Sequence, residues 1–357
     1  MKLIIQIPCL NEEAQLPDTL ADLPRHVPGF DVVEWMIIDD GSSDRTIEVA
    51  RTHGVDHVVK LPQNRGLAHA FQAGLDAALK LGADVIVNTD ADNQYDAAAI
   101  PLLVAPILDN RADLVVGDRD VRNHPEFSKL KIRLQVMGSW VVQKASSTTV
   151  PDATSGFRAY SAEAAIQLIV VNRYTYTLES LIQAGKMHAA VASVPVGTNA
   201  KTRESRLFGS MWGYMRRNAV VITRVFAAYE PLRFFGAIAL LLFFGAAMAF
   251  VPFFYDWLVN GESDGHLQSI VLGAILALAG VQMLAVAFLA DLIASNRMLT
   301  QRTLERVRRL ELAAGVAPSH YLEIDLSDTD SAPAEGRSGE APRSGAGSPA
   351  RSAARDA

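Results

Sequence analysis

The chain has 357 residues, half of them hydrophobic, a formal net charge of −6 and one cysteine. That length can bury a real core in one or two domains; a lone thiol cannot form an internal disulfide and suits a reducing compartment; no basic, aromatic-interleaved patch points to nucleic acid. The apolar residues are unevenly spread along the chain.

The opening Met-Lys-Leu-Ile-Ile-Gln-Ile-Pro is too short an apolar stretch for a signal peptide and is broken by Pro8, so Leu3 to Ile7 is predicted as the first strand. It runs into Pro8-Cys9-Leu10-Asn11-Glu12-Glu13, where Asn11 either contacts a nucleotide or caps a helix from about Gln15 to Leu23. Cys9 reads as a small core residue. A second strand, Val32 to Ile38, ends in Asp39-Asp40-Gly41-Ser42-Ser43-Asp44-Arg45-Thr46. Gly41 permits a tight turn, and Ser43 or Asp44 can cap the following helix. Capping leaves Asp39 and Asp40 unexplained, because adjacent carboxylates at a strand end are costly unless something positive or hydrogen-bonding meets them, such as a base or ribose hydroxyls. A third strand, about His57 to Leu61, leads through Asn64-Arg65-Gly66 into a helix from Leu67 to Leu81, whose Leu67, Ala70, Phe71, Gly74, Leu75 and Ala78 share one face.

Ala83 to Val87 has the composition of a buried strand. It delivers Asn-Thr-Asp-Ala-Asp-Asn-Gln-Tyr-Asp, residues 88–96, to the carboxyl edge of a sheet, where open α/β folds place their ligands. Asp90 and Asp92, spaced i, i+2, can both turn toward one cation, and Gln94 adds a neutral oxygen; hard oxygen donors suit Mg²⁺ or Mn²⁺ and leave positions for substrate phosphates. The competing reading is a helix cap for the segment Ala97 to Leu108. Asp113 to Val116 is a further strand, ending in Gly117-Asp118-Arg119. Strands alternating with helices through short loops indicate an α/β doubly wound, mostly parallel sheet. Every polar cluster lies at the same edge. With no Gly-x-Gly-x-x-Gly after the first strand and no Walker lysine loop, a metal and arginines are left to hold any diphosphate.

Pro8-Cys9-Leu10-Asn11-Glu12, Asp39 to Thr46, Asn64-Arg65-Gly66, Asp90-Ala91-Asp92-Asn93-Gln94 and Asp152-Ala153-Thr154-Ser155-Gly156-Phe157-Arg158 stand in an order and spacing that resembles family-2 glycosyltransferases of the GT-A fold, in the dolichyl-phosphate mannose synthase and polyprenyl-phosphate glycosyltransferase branch. The resemblance implies inverting transfer of one sugar from a nucleotide-sugar, GDP-mannose or a UDP-hexose, to a membrane polyprenyl phosphate. It implies a nucleotide-sugar pocket of Pro8, Asn11, Glu12, Asp39 or Asp40, Gly66 and Ala91, with Arg119 on phosphate; a metal at Asp90, Asp92 and Gln94; and an acceptor side formed by the Asp152 to Arg158 segment. Asp152 is the candidate catalytic carboxylate, in orientation or late proton uptake, since a phosphate acceptor with a second pKa of about 6 is already largely dianionic. Arg158, Arg203 and Arg206 are the candidate acceptor-phosphate ligands. Two departures stand out: Thr202-Arg203-Glu204-Ser205-Arg206-Leu207 replaces the usual Arg-x-x-Gly-x-Ser, and Tyr95-Asp96 replaces His-Pro. A processive polysaccharide synthase and a catalytically inactive membrane scaffold are the alternatives; the chain lacks the Gln-x-x-Arg-Trp of the former.

Phe234 to Phe254 and Leu267 to Leu289 each offer about 20 residues nearly free of charge, enough to cross a bilayer. Arginines flank the pair on the outside, Arg216, Arg217, Arg224 and Arg233 before and Arg297, Arg302, Arg306, Arg308 and Arg309 after, whereas the connector carries only acidic charge, so both termini are expected in the cytoplasm. Phe208, Met211, Trp212, Tyr214 and Met215 mixed with arginines suit interfacial helices. Gln282, deep in the second span, suggests an interhelical hydrogen bond or a homo-oligomer contact. The expected organisation is a catalytic domain over 1–206, interfacial helices over 207–232, two spans over 233–296, a cytoplasmic basic helix and connector over 297–326, and a disordered tail over 327–357.

Overall fold

The computed structural model describes residues 1–121, 129–170, 176–199, 220, 223–224, 226–259, 261 and 265–322. Alternation along the first strand, β1 (Lys2–Cys9), sets the layering: Leu3, Ile5 and Ile7 face one apolar layer and Ile4 the other, so the strand is buried on both sides and reads as a continuous apolar run. The layer under Leu3, Ile5 and Ile7 is filled from α1 (Leu16–Asp22), α2 (Thr46–Thr52) and α4 (Ile100–Leu108). The layer under Ile4 is filled from α3 (Leu67–Lys80), α5 (Lys129–Ser146), α6 (Ala162–Gln167) and α7 (Thr177–Lys186).

The remaining strands are β2 (Val32–Asp39), β3 (His57–Lys60), β4 (Val85–Asn88), β5 (Leu114–Asp118), β6 (Arg158–Ser161), β7 (Val191–Pro195) and β8 (Tyr321–Leu322), and the sheet order is β7-β5-β6-β4-β1-β2-β3-β8. β1 pairs in parallel with both β2 and β4, β2 with β3, and β5 with β7; β6 runs antiparallel between β4 and β5, and β8 antiparallel to β3. The expected doubly wound core is therefore present with two antiparallel insertions. Chain order reverses across β1, between β2 and β4, which makes the carboxyl ends of β1 and β4 the topological switch point of the sheet. Ala97 to Ala99, expected as the start of α4, form a 3₁₀ turn capped by Asp96.

After these layers come two helices long and apolar enough to cross a membrane, α8 (Pro231–Val259) and α9 (Leu267–Ala313). They pack along small residues at seven-residue spacing, Ala239 and Ala246 on α8, Gly273, Gly280 and Ala287 on α9. A Cβ on Gly273 or Gly280 would lie 2.8 Å from Phe250 or 2.9 Å from Phe243, so glycine is what admits the rings. Gln282 is exposed on the face of α9 away from this seam, which corrects the expected hydrogen bond within the hairpin.

α9 runs on well past its apolar stretch. Its 47 residues span about 70 Å at 1.5 Å per residue, more than twice a bilayer core of about 30 Å. The far half docks on the sheet's helices: Arg297 pairs with Glu179, Arg308 donates to the carbonyls of Ile166 (3.0 Å) and Leu168 (2.7 Å), Arg309 pairs with Glu163, and Glu311 meets Lys80 at 3.2 Å. β8 then joins the sheet edge, with Tyr321 Oη 2.8 Å from His57 Nδ1. The stretch expected as a separate basic helix and connector is thus a continuation of the second span that returns a strand to the sheet. Of the expected interfacial segment 207–232, residues 207–219 lie outside the described residues, as does the expected tail; Phe226 and Tyr229 pack on the apolar layer shared by α3 and α7.

Candidate active site

Two loops at the carboxyl ends of β1 and β2 are zipped together. Asn11, in the left-handed region at φ 54°, accepts from Ser43 N–H through its side chain (2.8 Å) and donates its own N–H to Ser42 Oγ (2.9 Å). Glu12 N–H donates to Thr46 Oγ1 (2.9 Å), and Glu13 N–H to Asp44 (3.1 Å). The sequence motifs at residues 8–13 and 39–46 are therefore one structural unit, and Asn11 is its fastener. Asp40 is a clamp on the next loop, its two carboxylate oxygens accepting from the N–H groups of Arg65 (2.7 Å) and Gly66 (2.8 Å). Asp39 differs. Its Oδ1 accepts from Ser42 N–H (3.2 Å), while its Oδ2 is fully buried with no hydrogen-bond partner. The alternatives left open between these two carboxylates separate here: Asp40 is consumed by the fold and Asp39 holds the unsatisfied oxygen.

β4 ends in Asn88, fully buried, whose amide accepts from Gln6 (2.9 Å) and donates to Gly156 O and Tyr176 Oη (both 2.9 Å). This polar chain fixes the segment after Asp152 against the strand that carries Asp90. Tyr95 Oη accepts from Gly156 N–H (2.9 Å), its ring stacks on Phe157 at 5.1 Å, and the Arg119 guanidinium lies 5.8 Å from its centroid. The residue that departs from the family pattern is thus the one that orients Gly156. Thr19 on α1 holds the other side of the loop by donating to Ala91 O (2.8 Å).

Asp90 sits inside this frame. Burial first, then the neighbouring charges of Asp92 and Glu12, push its pKa up to about 7 against the opposing pull of Arg119. A buried carboxyl with a pKa raised in this way, and a second carboxylate beside it, exchanges its proton readily for a cation, so the donors fit a hard divalent ion. Among the described residues no group of three or more acidic, histidine or cysteine side chains forms a metal cage. Asp90 and Asp92 would supply part of a coordination sphere and leave the rest to phosphate oxygens and water. Gln94 Nε2 donates to Asp92 Oδ2 (2.8 Å) and its N–H to Asp92 Oδ1 (3.3 Å), so it orients that carboxylate.

Across the loop, Asp152 is buried and paired with Arg119 through two contacts, 2.7 and 3.1 Å, while Thr154 Oγ1 also donates to it (2.8 Å). Burial alone would raise the Asp152 pKa, but the Arg119 charge and these hydrogen bonds hold it below the ordinary carboxylate range.

Residues 4–169 match the glycosyl transferase family 2 model. Over 250 residues the chain is 30% identical to the undecaprenyl-phosphate mannosyltransferase of Micrococcus luteus, covering 65% of this chain and 98% of that protein. The chain belongs to glycosyl transferase family 2. This glycosyltransferase is also 30% identical over 214 residues to the UDP-N-acetylglucosamine–dolichyl-phosphate N-acetylglucosaminyltransferase of Methanococcus voltae, covering 54% of the chain and 83% of that protein. Glucosyl-3-phosphoglycerate synthase of Mycobacterium tuberculosis, solved with Mn²⁺, UDP and glucosyl-3-phosphoglycerate, shares the fold at a TM-score of 0.51 and 24% identity, over 64% of this chain and 80% of that one.

Of the expected site set, Pro8 and Asp39 stand at the carboxyl ends of β1 and β2, and Glu12, Asp90, Ala91, Asp92, Arg119 and Asp152 on the loops at the same edge of the sheet. Arg158 is a correction. Its guanidinium is fully buried and donates to Ser155 O, Thr177 O, Ser180 Oγ and Ala153 O at 2.7–2.8 Å, which leaves it holding α7 to the Asp152 loop, not a phosphate. Arg203 and Arg206 lie outside the described residues. Gln6, Asn88 and Tyr176 carry structural roles that the motifs do not mark, and Tyr95 and Gly156 take theirs from each other; the available signal was polarity inside apolar strands, Gln6 within Ile-Ile-Gln-Ile and Asn88 after Val-Ile-Val.

Proposed function

We propose that this glycosyltransferase moves a single sugar from a nucleoside-diphosphate sugar to a membrane polyprenyl phosphate, with Mg²⁺ or Mn²⁺ held by Asp90 and Asp92. The observation that carries the reading is the Asp90–Asp92 pair, with Asp90 near neutrality, on a domain fastened by α9 to a membrane hairpin. The two relatives named above act on undecaprenyl and dolichyl phosphate, which supports a lipid-phosphate acceptor here.

The unsatisfied Asp39 Oδ2 would accept an N–H of the base or a ribose hydroxyl, with Pro8 and Glu12 beside it. A divalent cation, when bound, neutralises charge gathering on the diphosphate leaving group. An oxygen of the acceptor phosphate forms the new bond to the anomeric carbon as the bond to the diphosphate breaks on the opposite side, which inverts the centre. A phosphomonoester dianion needs no strong base, and Asp152 is a poor one because Arg119 keeps it ionised. The Asp152–Arg119 pair instead presents a fixed guanidinium beside the acceptor side. Arg203 and Arg206 are the further acceptor-phosphate ligands of this proposal; they follow Asn199, whose N–H donates to Gln94 O (3.0 Å) at the edge of the Asp90–Asp92 loop. The arginines flanking the hairpin support a cytoplasmic side for the catalytic domain and both termini.

The test is a panel of radiolabelled GDP- and UDP-sugars incubated with the purified full chain and undecaprenyl or dolichyl phosphate. A lipid-linked monosaccharide from one donor supports the reading, whereas a growing polymer or no product from any donor contradicts it.

A further inference from the structure

α5 has a buried face and a face that the fold leaves bare. Ser139, Val142 and Ser146 are buried, with Val142 in the apolar layer shared with α7. On the opposite side Arg133, Met137, Trp140 and Lys144 are all exposed, Met137 to 52% and Trp140 to 57%. Their 4-3-4 spacing makes a single stripe along the helix. An apolar pair with a cation at each end is the pattern of a helix lying in a headgroup layer, where tryptophan sits at the boundary and lysine and arginine reach lipid phosphates.

Two observations say where this stripe lies. The chain leaving α5, Ser147 to Thr149, lines an open cavity of about 600 Å³ together with Lys186 of α7, Glu230 at the entry to α8 and Met298 on α9 just past its apolar run. The carboxyl end of α5 is thus at the level where both long helices leave the membrane. Trp140 itself lines a second cavity, of about 440 Å³, with Asp118 and Pro151, the chain neighbours of Arg119 and Asp152. The stripe therefore runs from the base of the hairpin to the acceptor side of the site.

We propose that the Arg133–Met137–Trp140–Lys144 face of α5 rests in the anionic headgroup layer of the bilayer and sets the mouth of the active site at the membrane surface. This deepens the proposed function and rests on it for the lipid nature of the acceptor and for the spanning role of α8 and α9. It supplies what that reaction requires of the domain: the acceptor keeps its tail in the bilayer, so the Asp152–Arg119 side has to face the headgroups.

Depth measurement on the full chain in nanodiscs tests it. Cys9 is buried and the chain has no other cysteine, so a nitroxide can be placed at Met137→Cys or, as a control on the other helical layer, at exposed Leu102→Cys. Power saturation with oxygen and with a water-soluble nickel chelate then reads each site in phosphatidylcholine with and without phosphatidylglycerol, while sugar transfer is assayed in the same discs. The expected result is oxygen exposure with nickel protection at 137, stronger with phosphatidylglycerol, and nickel exposure at 102 in both lipids. A label at 137 as wet as that at 102, while transfer proceeds, overturns the placement of α5 and leaves the proposed function standing. Protection from both agents, or dipolar broadening between labels, means that protein or a second copy covers the stripe and also overturns it. Arg133→Glu with Lys144→Glu is expected to remove the phosphatidylglycerol dependence and raise the KM for polyprenyl phosphate by about 25-fold, since each basic residue near an anionic surface is worth roughly a fivefold change.

Discussion

Gly156 sits where a methyl group has no room. A Cβ there would lie 3.1 and 3.2 Å from the two oxygens of Asp90 and 2.8 Å from Tyr176 Oη. Gly156→Ala is expected to cut Mn²⁺ affinity and kcat/KM by about tenfold or more, a shift of roughly 1.4 kcal/mol, and to lower the melting temperature as well, because the methyl group must push Tyr176 or the Asp90 loop aside; metal titration beside a melt checks both halves. The two carboxylates after β2 give a paired contrast. Asp40→Asn puts an amide where two backbone N–H groups converge and is expected to lower the melting temperature. Asp39→Asn leaves the fold and weakens nucleotide binding, by about 10- to 100-fold for loss of a charged hydrogen bond of roughly 1.5–3 kcal/mol. Equal effects of the two variants on nucleotide affinity would show that the buried Asp39 oxygen is not the nucleotide contact. Arg119→Ala leaves the Asp152 carboxylate buried without its cation, a destabilisation of about 3–5 kcal/mol at neutral pH. The sign with pH follows from the depressed Asp152 pKa: the stabilisation is full above the unfolded-state value of about 3.9 and is lost as pH falls through the lower folded value. The gap in denaturation midpoint between wild type and Arg119→Ala is therefore expected to narrow below about pH 4.

At the scale of elements, α7 is the hinge between chemistry and membrane. Tyr176, just before it, contacts Asn88 and Gly156; Ser180 and Thr177 O hold Arg158; Glu179 pairs with Arg297 of α9. Arg297→Ala with Arg308→Ala removes contacts that tie α9 to this layer. Amide exchange in α7 is expected to speed up by about tenfold or more, with α8 and α9 still inserted, because each charged hydrogen bond is worth roughly 1.5–3 kcal/mol; unchanged exchange would mean that α7 is held from the sheet alone. The elements legible in the sequence were those that fold on local pattern: β1 to β5 and their helices announce themselves by apolar runs bounded by polar turns. β6, β7 and β8 do not. β6 begins with a buried arginine, β8 has two residues, and β8 takes its place from a partner strand some 260 positions away, which no local periodicity encodes. The same distinction runs through the site. Asp39, Asp90 and Asp92 were visible as charges at strand ends, whereas the assignment of Arg158 to phosphate failed because its burial depends on α7 packing over it.

As a whole molecule, the chain is a sheet whose switch point gathers the candidate site and whose apolar hairpin returns to become part of the same body. α9 begins as an apolar helix long enough to cross a bilayer and continues as a charged one, after which β8 pairs with β3. A membrane anchor tethered only by a loop would let the site wander over the surface; one that packs on α6 and contributes a strand holds the carboxyl edge of the sheet in a fixed relation to the bilayer. The divalent-ion site proposed at Asp90 and Asp92 is tested most directly by sugar transfer to undecaprenyl phosphate by the wild-type chain and by Asp92→Asn, each with Mn²⁺ and with chelator. The expected result is a lipid-linked monosaccharide from the wild type with Mn²⁺ alone, and product in chelator or undiminished turnover by Asp92→Asn would contradict it.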